Sequence, residues 1–572
     1  MKNIEIANIF NEIASILELK EENPFRIRAY RRAALNLEGL TEDIEDIAKR
    51  NELTRIPGIG KDLEEKIQKF LSTGHIEFYE RLKKETPPML LELTTIPGIG
   101  PKTANLLYKN LKFKSIQDLE EMARSHKLAV LPGLKEKTEE NILRGIEFIK
   151  KGKERVPLGF ALPIANDIIS HLKELPETQR ISIAGSVRRM KETVKDIDIL
   201  VTSKDPEKVM SEFIKLPQVM DVLAHGSTKS SVLTNEGFQV DLRVVEPDSF
   251  GAALAYFTGS QSHNIRLREM AVKKGFKINE YGVFNERIKK RIAGKEEEEI
   301  YKVLGLPYIP PELREDAGEI EAAIKNRLPN LIELKDIKGD LHVHSKWSDG
   351  SESLEVLAEE AQRRGYEYIV ISDHSKSLPV AGGLKEEEII KQIKEIEKLN
   401  KTFKGFRLLT GTEVDILSGG KLAFSNELLS MLDFTVAAIH SGFKQTKDAI
   451  TKRLIKAMQN KFVHSIAHPT GRLMGVRDAY EIDFEEIFKV ARDTNTAIEI
   501  NAYPERMDLN DINCHRAKEV GVKMVISTDA HTKDQLDNIF FGISVARRGW
   551  IEKDDILNTL SLNNMLESIK KG

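Results

Sequence analysis

Two histidines and an aspartate stand close together in GDLHVHSKWSDG, the stretch from residue 339 to residue 350. His342 and His344 lie two positions apart and Asp349 follows five positions later, in a chain with 13 histidines. Imidazole and carboxylate groups without thiolates suit zinc, manganese or iron. A lone histidine is more often a structural residue, so a metal site is indicated only if other parts of the chain supply further ligands.

Ligand-type side chains also end the apolar runs that follow. YEYIVISDH, RLLTGTEVD, FTVAAIHSG, HSIAHPTGR and VKMVISTDAH each carry them at or near the end. Apolar runs that alternate with amphipathic helices predict a parallel β/α domain, and in a barrel of that kind the carboxyl ends of the strands meet on one face. We therefore expect one metal cluster made of His342, His344, Asp349, His374, Glu413, His440, His468, Asp529 and His531.

A pair of aspartates marks a second candidate site, in ISIAGSVRRMKETVKDIDILVTS from Ile181. Asp196 and Asp198 lie two positions apart in an apolar strand pattern, so both carboxylates point to the same face. Asp241, in FQVDLRVVEP, lies in another such pattern, which a neighbouring strand could bring to the same place. Crowded carboxylates repel each other and need cations, and a set of this kind can hold two magnesium ions for phosphoryl transfer.

A Gly-Ser turn precedes these aspartates in the chain. Gly185 and Ser186 offer N–H and hydroxyl donors to a phosphate, and Arg188 or Arg189 offers a charged fork. An isolated Asp-x-Asp on a strand is more often structural than catalytic. Together with the turn upstream and the third aspartate downstream, the pattern indicates a nucleotidyltransferase.

Two nearly identical segments, LTRIPGIGKDLEEKI and LTTIPGIGPKTANLL, begin at residues 53 and 93, and a weaker third, LPGLKEKTEENI, begins at residue 131. Each predicts a helix, a Pro-Gly turn and a second helix. Gly58, Gly60, Gly98 and Gly100 would let backbone N–H groups at a helix start approach an anion. The repetition indicates helix-hairpin-helix motifs, which bind the DNA backbone without reading its sequence. The alternative is that Pro-Gly merely separates two helices.

The bulk composition limits the remaining possibilities. A chain of 572 residues predicts about four domains, at ~150 residues each. Its net charge of -3 argues against a globally basic nucleic-acid coat but is compatible with a local basic groove. The single cysteine, Cys514, excludes an internal disulfide and a cysteine-based zinc site. Because no apolar run approaches the ~18 residues of a membrane span and no signal peptide is recognisable, we expect a cytoplasmic protein.

The segments AGSVRRMKETVKDIDILVT, FQVDLRVVEP and ALAYFTGSQSHNIRLREMAVKKGFKINEYGVF resemble the palm and thumb of a family X DNA polymerase, the DNA polymerase beta family. The likeness extends through the helix-hairpin-helix region and covers roughly residues 1–320. It implies a polymerase that uses two Mg²⁺ or Mn²⁺ ions, deoxynucleoside triphosphates and gapped or primer-template DNA.

The resemblance also assigns roles to individual residues. The metal ligands would be Asp196, Asp198 and Asp241, with Arg243 beside them. The contacts to the triphosphate would be Arg155, Gly185, Ser186 and Arg189. The residues that pack against the sugar and exclude a ribose 2′-hydroxyl would be Tyr256, Phe257 and Gly259. The residues that face the nascent base pair and the minor groove of the DNA would be Asn264 and Arg268.

Several positions depart from the family pattern. Lys195 stands where the family often has glycine before the first aspartate. Lys66 falls on the Schiff-base lysine of the family's deoxyribose phosphate lyase domain, and Tyr30 matches as well. However, Asp62 occupies a position that is basic in lyase-active relatives, and Phe25 replaces a polar phosphate contact. Lys66 is therefore either a lyase nucleophile or a lysine that contacts the DNA backbone.

The pattern H-x-H, D-H, E, H, H-P, D-x-H resembles that of a PHP (polymerase and histidinol phosphatase) domain. Its intact ligand set implies a working phosphoesterase with three ions, Mn²⁺ or Zn²⁺ or both, and Arg472 as a phosphate contact. The ligands of the first ion would be His342, His344, Glu413 and Asp529. Those of the second would be Asp349, His374 and His531, and those of the third would be His440, His468 and the bridging Glu413.

We therefore expect a multidomain chain with α-helical helix-hairpin-helix domains at the amino terminus, an α+β nucleotidyltransferase palm with a thumb, and an α/β PHP domain folded as a distorted (β/α)7 barrel. The expected domains are a lyase-like domain with a helix-hairpin-helix (1–83), fingers with a second helix-hairpin-helix (84–153), palm (154–248), thumb (249–316), linker (317–337) and PHP domain (338–572).

The expected activity is DNA-directed DNA synthesis by a monomer that fills short gaps in base-excision repair. The PHP domain would act as a manganese-dependent 3′–5′ exonuclease and would also incise at abasic positions. Two alternatives stay open. One is a phosphoesterase that binds DNA ends and has an inactive polymerase half, and the other is a phosphatase for small molecules, similar to histidinol phosphatase, fused to a DNA-binding module.

Overall fold

A computed structural model gives the structure of the chain. It describes residues 2–20, 22–38, 44–56, 58–93, 96, 99, 101–113, 115–128, 131, 134, 139, 142–143, 146, 155–474 and 476–571. These residues belong to two compact units, each made of several chain segments. The first unit contains Met1–Glu154, Ile168–Ser182 and Lys195–Pro247, and the second contains Arg155–Asp167, Ile183–Val194 and Asp248–Gly572.

The strands are numbered in chain order. They are β1 (Val156–Pro157), β2 (Thr178–Ile183), β3 (Thr193–Val194), β4 (Asp196–Ser203), β5 (Val219–His225), β6 (Lys229–Thr234), β7 (Gln239–Val244), β8 (Phe276–Asn279), β9 (Gly282–Asn285), β10 (Lys290–Ala293), β11 (Gly339–Val343), β12 (Tyr368–Ile371), β13 (Arg407–Asp415), β14 (Phe434–Ala438), β15 (Ser465–Ile466), β16 (Ala497–Asn501) and β17 (Met524–Ser527).

Amphipathic helices form the amino-terminal part of the first unit. Apolar residues recur every three or four positions along the first helix, and Ile6, Phe10, Ile13 and Leu17 are fully buried in one core. Tyr30 of the second helix packs in the same core. The helices are Lys2–Leu19, Pro24–Glu38, Ile44–Lys49, Lys61–Thr73, Glu77–Glu85, Pro88–Leu93, Pro101–Asn110 and Ile116–Arg124.

A mixed sheet with strand order β2-β4-β7-β6-β5 completes the first unit. β4 and β7 are parallel, whereas β6 pairs antiparallel with both β5 and β7. Side chains alternate along β4, so that Ile197 and Ile199 are fully buried while Asp196 and Asp198 lie on the other face. Helix Pro206–Phe213 packs against β4 and β7.

The second unit begins with the segments around β1 and β3, which pair antiparallel, and continues into a helical region with the antiparallel sheet β10-β9-β8. Leu267, Tyr301 and Ile320 lie in the core of this region. Its helices are Leu158–Lys173 (shared with the first unit), Gly185–Arg188, Phe250–Thr258, Gln261–Lys273, Glu297–Val303 and Glu319–Ile324.

Strands β11 to β17 form a parallel sheet in sequence order, with helices in the connections. A parallel bridge between Val343 and Ala530 joins its two edges, and the N–H of His344 donates to the Ala530 carbonyl at 2.9 Å. The sheet is therefore a nearly closed barrel, which confirms the expected distorted (β/α)7 barrel. The barrel helices are Leu354–Arg363, Glu386–Asn400, Asn426–Leu429, Lys447–Met458, Phe484–Asp493, Asp511–Val520, Ile539–Arg548 and Leu562–Ser568.

The barrel core explains the strongly apolar strands of this region. Leu341, Val370, Leu409, Val436 and Val525 belong to it and come from five of the seven strands, and each is at most 1% exposed. Parallel strands covered on both faces by other elements read as continuous apolar runs. Across the described part of the chain, no helix has both the length and the apolar character needed to cross a membrane.

Candidate active centres

The carboxyl ends of the barrel strands bring ligand-type residues to one face. His342 and His344 stand at the end of β11, Glu413 near the end of β13, and Asp529 just after β17. Each of these side chains belongs to a residue that is at most 6% exposed. Because all strands are parallel, groups that are distant in sequence meet at the same edge of the barrel.

Glu413 stands at the centre of this cluster. Its Oε1 lies 3.0 Å from His468 Nε2 and 3.2 Å from His440 Nε2. Its Oε2 lies 2.7 Å from His374 Nδ1 and 3.7 Å from His342 Nε2. A carboxylate with histidines on both oxygens is suited to bridge two metal ions.

Asp349 and Asp529 complete the cluster. Asp349 Oδ1 lies 3.4 Å from His531 Nε2, and its Oδ2 lies 3.5 Å from His374 Nε2. Asp529 Oδ1 lies 3.2 Å from His344 Nε2. The structure therefore brings together every barrel residue that the sequence analysis proposed as a ligand.

The structure groups these residues somewhat differently from the resemblance. Three groups have ligand atoms close enough to share an ion, within 4.8 Å of one another. They are His344, Asp349, His374 and His531; His342, His344 and Asp529; and His374, Glu413 and His440. His344 and His374 each belong to two of these groups, and Glu413 groups with His374 and His440 while its Oε2 also lies 3.7 Å from His342 Nε2 and 3.8 Å from His344 Nε2.

Hydrogen bonds from outside the cluster fix how its histidines are oriented. His342 Nδ1 lies 2.7 Å from Glu499 Oε1, and His440 Nδ1 lies 2.8 Å from Asp415 Oδ1. A carboxylate accepts, so each Nδ1 carries a hydrogen and each Nε2 faces the cluster, where it is the atom that could bind a metal ion. His531 is oriented in the same way, because its Nδ1 lies 2.8 Å from the backbone carbonyl oxygen of Asp529.

The electrostatics of the cluster favour bound cations. Burial acts to raise the pKa values of Glu413 and Asp529, yet the surrounding histidines hold both well below their ordinary values. Burial, with His374 and His531 nearby, lowers the pKa of His344 to about 3. The carboxylates are thus ionised, and the imidazole of His344 is neutral, which is the protonation state of a metal ligand.

Buried nitrogens without partners support the same conclusion. Among the described residues, His344 Nδ1 and His468 Nδ1 are buried and have no hydrogen-bond partner. His344 Nε2 and His342 Nε2 face each other at 3.1 Å, and two lone pairs at that distance require a proton or a metal ion between or beside them. Nitrogen and carboxylate donors of this kind fit divalent transition-metal ions.

The three palm aspartates lie together on the sheet of the first unit. Asp198 on β4 stands directly opposite Asp241 on β7, and Asp196 lies two positions before Asp198 on the same face. Burial, followed by Asp196 and Asp241, raises the pKa of Asp198 to about 7. Burial also opposes ionisation of Asp241, but Lys229 at 3.2 Å and Gln239 at 2.9 Å hold its pKa below the ordinary value. Such carboxylates need cations nearby.

The Gly-Ser turn opens helix Gly185–Arg188 in the second unit. Gly185 has φ +61°, a left-handed conformation that favours glycine. Both arginine forks have carboxylate partners. Arg188 donates to Glu297 Oε1 and Oε2 at 2.8 and 2.6 Å, and Arg189 Nε donates to Glu315 at 3.0 Å. The proposed triphosphate contact at Arg189 thus starts from an internal ion pair.

The residues of YFTGS join two helices of the second unit. Helix Phe250–Thr258 ends at Gly259, which has φ +71°. Asn264 on the next helix donates from its side chain to the Tyr256 carbonyl at 2.7 Å, and Arg268 Nε donates to the Asn264 carbonyl at 3.3 Å. The rings of Tyr256 and Phe257 meet edge to face, with centroids 5.1 Å apart. Arg155, also in this unit, donates to the Thr193 carbonyl at 2.6 Å.

The first helix-hairpin-helix turn has the backbone expected from its glycines. Gly58 has φ +84°, and Gly60 is the N-cap of helix Lys61–Thr73. Gly98 and Gly100 of the second turn lie outside the described residues. Lys66 contacts the Asp62 carboxylate. A carboxylate contact stabilises an ammonium ion, whereas Schiff-base chemistry needs the neutral amine.

Comparison with known families matches four parts of the chain. A helix-hairpin-helix domain matches residues 1–76, and a SAM-like helix-hairpin-helix tandem matches residues 90–147. A DNA polymerase beta thumb matches residues 253–315, and a PHP domain matches residues 340–503. These matches confirm the predicted order of domain types.

Among individual proteins, DNA polymerase/3′-5′ exonuclease PolX of Bacillus subtilis (strain 168) is 41% identical over 574 residues and covers 100% of both chains. The chain belongs to the PolX family. The resemblance to family X polymerases with a PHP domain is thereby confirmed, since the similarity runs through the polymerase and barrel parts alike.

Other relatives of this PolX family member match parts of it. DNA polymerase lambda of Rattus norvegicus is 27% identical over 300 residues, which is 47% of this chain and 49% of that protein. A probable phosphatase of Thermoanaerobacter sp. (strain X514) is 29% identical over 231 residues, which is 38% of this chain and 89% of that protein. Each of these two relatives therefore matches less than half of the chain.

The sequence analysis missed the outer residues of the PolX barrel centre. Asp415 and Glu499 orient the histidines, and Asn501 donates to Asp529 Oδ2 at 3.1 Å. A signal was present, because Asp415 lies two positions after Glu413 in β13, and Glu499 and Asn501 lie two apart in β16. Period-two polar residues at the end of an otherwise apolar strand point to the same face.

Arg472, the expected phosphate contact, makes contacts within the protein. Its guanidinium pairs with Glu192 at 2.7 and 3.2 Å and donates to the Arg506 carbonyl at 2.7 Å. Arg506 lies beside the histidine-carboxylate cluster, with its Nε 3.5 Å from Asp529 Oδ2. Among the contacts described, Arg506 is therefore the cationic side chain placed to attract a phosphate to this cluster.

Proposed function

We propose that this protein is a DNA-directed DNA polymerase that fills short gaps in base-excision repair and removes nucleotides from 3′ ends with its PHP domain. The observation that carries the proposal is that a chain aligned end to end with PolX brings together two separate groups of ligand-type side chains. One centre is the palm aspartates on β4 and β7, and the other is the histidine-carboxylate cluster of the barrel.

In the polymerase half, Asp196, Asp198 and Asp241 would hold two divalent ions. Two ions of this kind activate an attacking oxygen and stabilise a leaving oxygen in phosphoryl transfer. Gly185 and Ser186 would bind the triphosphate through N–H and hydroxyl groups, together with Arg155 and Arg189. Tyr256, Phe257 and Gly259 would orient the sugar, and Asn264 and Arg268 would contact the base pair and the minor groove.

In the barrel, the ligand set would hold three ions, with Mn²⁺ or Zn²⁺ the species that its donors suit. When bound, these ions lower the pKa of a water molecule and offset charge on phosphate oxygens. Asp415 and Glu499 keep the Nε2 atoms of His440 and His342 aimed inward, and Arg506 would attract the phosphodiester. We propose the same site for incision at abasic positions.

Further parts of the proposal concern DNA binding, oligomeric state and cellular location. The helix-hairpin-helix glycines Gly58, Gly60, Gly98 and Gly100 would contact the DNA backbone on either side of a gap. Lys66 would serve there as a backbone contact, because its pairing with Asp62 opposes Schiff-base chemistry. The expected domain boundaries, the monomeric state and the cytoplasmic, nucleoid-associated location belong to this proposal as well.

The decisive experiment uses a 5′-labelled primer in a one-nucleotide gap with manganese, and follows primer length with and without deoxynucleotides. Wild type is compared with Asp198→Ala and His342→Ala. We expect Asp198→Ala to lose extension and keep shortening, and His342→Ala to lose shortening and keep extension. Constant primer length in the wild type under both conditions would refute the two activities.

A small-molecule phosphatase is the second candidate, because a probable phosphatase of Thermoanaerobacter is 29% identical to 38% of this chain. A phosphomonoester assay run beside the labelled DNA separates the two. Rapid release of phosphate from the monoester, with DNA left intact, would favour the phosphatase. A phosphoesterase with an inactive polymerase half predicts shortening without extension in the wild type.

A further inference from the structure

Arg548 is the last residue of barrel helix Ile539–Arg548. It reaches the segment from Gly185 to Arg189, which is called the nucleotide-binding turn below because of its proposed role. Its side chain is 4% exposed. Nη1 donates to the backbone carbonyl of Arg189 at 2.8 Å and lies 3.0 Å from Glu315 Oε1. On its other side, Asp511 of the barrel accepts from Nε and Nη2 at 2.9 and 2.6 Å.

Glu315 is shared between this barrel arginine and the polymerase arginine. Its Oε1 accepts from Arg189 Nε and from Arg548 Nη1, each at 3.0 Å, and Lys191 lies 3.7 Å from Oε2. The Arg189 side chain is 12% exposed, so water screens the pair only weakly. Burial acts to raise the pKa of Glu315, but Arg189 and Arg548 hold it below its ordinary value, and the carboxylate is ionised.

A second contact holds the same segment on the barrel. Glu192, three positions after Arg189, pairs with Arg472 at 2.7 Å. Gly159, which follows β1, packs so tightly that an added Cβ would lie 2.2 Å from Pro504 Cβ in the barrel. The nucleotide-binding turn is therefore seated on the PHP barrel, and its electrostatic surroundings include barrel residues.

We propose that Arg548 is a positioning residue of the polymerase reaction: it holds Glu315 back, so that the Arg189 guanidinium can bind the triphosphate of the incoming nucleotide. This inference rests on the proposed role of Arg189. It gives the exonuclease barrel a part in nucleotide affinity, through an arginine that lies outside both clusters of metal ligands.

The physical argument is a competition for one carboxylate. A triphosphate that approaches Arg189 meets the negative charge of Glu315, and Arg189 must exchange one anion for another. While Arg548 binds Glu315, the carboxylate keeps a cationic partner when Arg189 turns away, so the exchange costs little. Without that charge, Glu315 depends mainly on Arg189, and triphosphate binding would leave a partly buried carboxylate poorly compensated.

The test measures KM and kcat for the incoming deoxynucleotide in gap filling by the full chain, on a primer with a phosphorothioate 3′ linkage that suppresses shortening. Arg548→Gln removes the charge and keeps polar atoms. Arg547→Gln is the matched control, because Arg547 pairs with Glu312 and the Ile332 carbonyl instead. The double variant Arg548→Gln with Glu315→Gln removes the competitor as well.

We expect Arg548→Gln to raise KM about tenfold with kcat within about twofold, Arg547→Gln to leave KM unchanged, and the double variant to restore KM. Shortening of unmodified primer should persist in all three variants, which also shows that they are folded. Should Arg548→Gln not fold, Arg548→Lys, which keeps a charge but not the fork, is expected to raise KM about threefold.

The inference is overturned if Arg548→Gln, or Arg548→Lys in its place, has the KM of Arg547→Gln, or if the double variant keeps a high KM. Arg189→Ala separates this failure from failure of the proposed function. A KM that is unchanged in Arg189→Ala removes the proposed phosphate role of Arg189 itself, whereas a large rise in KM there, with no effect at Arg548, refutes only the positioning role.

Discussion

At the scale of single residues, the barrel centre depends on carboxylates that lie outside the proposed ligand set. A histidine has two nitrogens, and which of them carries the hydrogen is decided by the partner outside the cluster. Asp415 decides it for His440, and Glu499 decides it for His342. These carboxylates are as much a part of the centre as the ligands that they orient.

Asp415→Asn should therefore lower the rate of primer shortening about 10- to 100-fold, because a neutral amide oxygen accepts the Nδ1–H of His440 more weakly than the carboxylate does. Extension in the same gap should be unchanged. A manganese titration of the shortening rate is the measurement, and a shift to higher metal concentration is expected.

Asp433→Asn is the control for that substitution. Asp433 accepts hydrogen bonds from Thr410 at 3.0 Å, at the amino end of β14, away from the cluster. Shortening at the wild-type rate in Asp415→Asn, or an equal loss in Asp433→Asn, would contradict the orienting role.

At the scale of elements, one buried carboxylate forms ion pairs with two separate parts of the second unit. Glu297, at the start of helix Glu297–Val303, pairs with Arg188 of helix Gly185–Arg188 and with Arg314 beyond it. Burial acts to raise the pKa of Glu297, but the hydrogen bonds and charges of both arginines lower it to about 2. Arg314 is fully buried, so the network is shielded from water.

Glu297→Gln is expected to cost about 3 kcal/mol in the free energy of unfolding at pH 7, because it leaves the fully buried guanidinium of Arg314 and the partly buried guanidinium of Arg188 without their counter-charge. The pKa of Glu297 is depressed in the folded state. Its contribution is therefore complete above about pH 4.5 and is lost as the pH falls towards 2. Urea unfolding followed by circular dichroism should show that the wild type and the variant differ less in free energy of unfolding as the pH falls from about 4.5 towards 2.

Glu298→Gln is the matched control, because Glu298 is the next residue and is exposed. Its unfolding should match the wild type at every pH. A wild-type advantage over Glu297→Gln that grows as the pH falls would have the wrong sign for a depressed pKa and would refute the network as the cause.

At the scale of the whole molecule, the second compact unit contains parts of both the polymerase and the exonuclease regions of the chain. It includes the barrel, the thumb region and the polymerase segments Arg155–Asp167 and Ile183–Val194. The Glu192–Arg472 pair is one physical link, and Arg472 also holds the loop that carries Arg506 towards Asp529. A change in the polymerase segment is therefore expected to be felt in the barrel.

A double-mutant cycle with Glu192→Gln and Arg472→Met should give a coupling free energy of about 1 kcal/mol in unfolding. Arg472→Met alone should also slow primer shortening, because the Arg506 loop loses its support. A cycle of Glu192→Gln with Arg477→Met is the control. Arg477 donates to the Gly471 carbonyl and not to Glu192, so the two changes in the free energy of unfolding should add. Additivity in both cycles would mean that the pair carries no coupling.

The amino-acid sequence by itself determined the chemistry of this protein. Residue types at the ends of apolar runs pointed to the residues that converge in the barrel cluster, because parallel strands bring those ends together, and the two-residue spacing of Asp196 and Asp198 placed both on one face. Local patterns suffice for these conclusions, since strand periodicity and chain order are local properties.

Only the tertiary structure decided which groups act on one another. The register of β4 and β7 sets Asp198 opposite Asp241, and long-range hydrogen bonds choose the inward nitrogen of each histidine. The pairing of Arg189 with Glu315 and Arg548 joins residues more than a hundred positions apart. Such contacts depend on how whole elements pack, and no local pattern of residues encodes that packing.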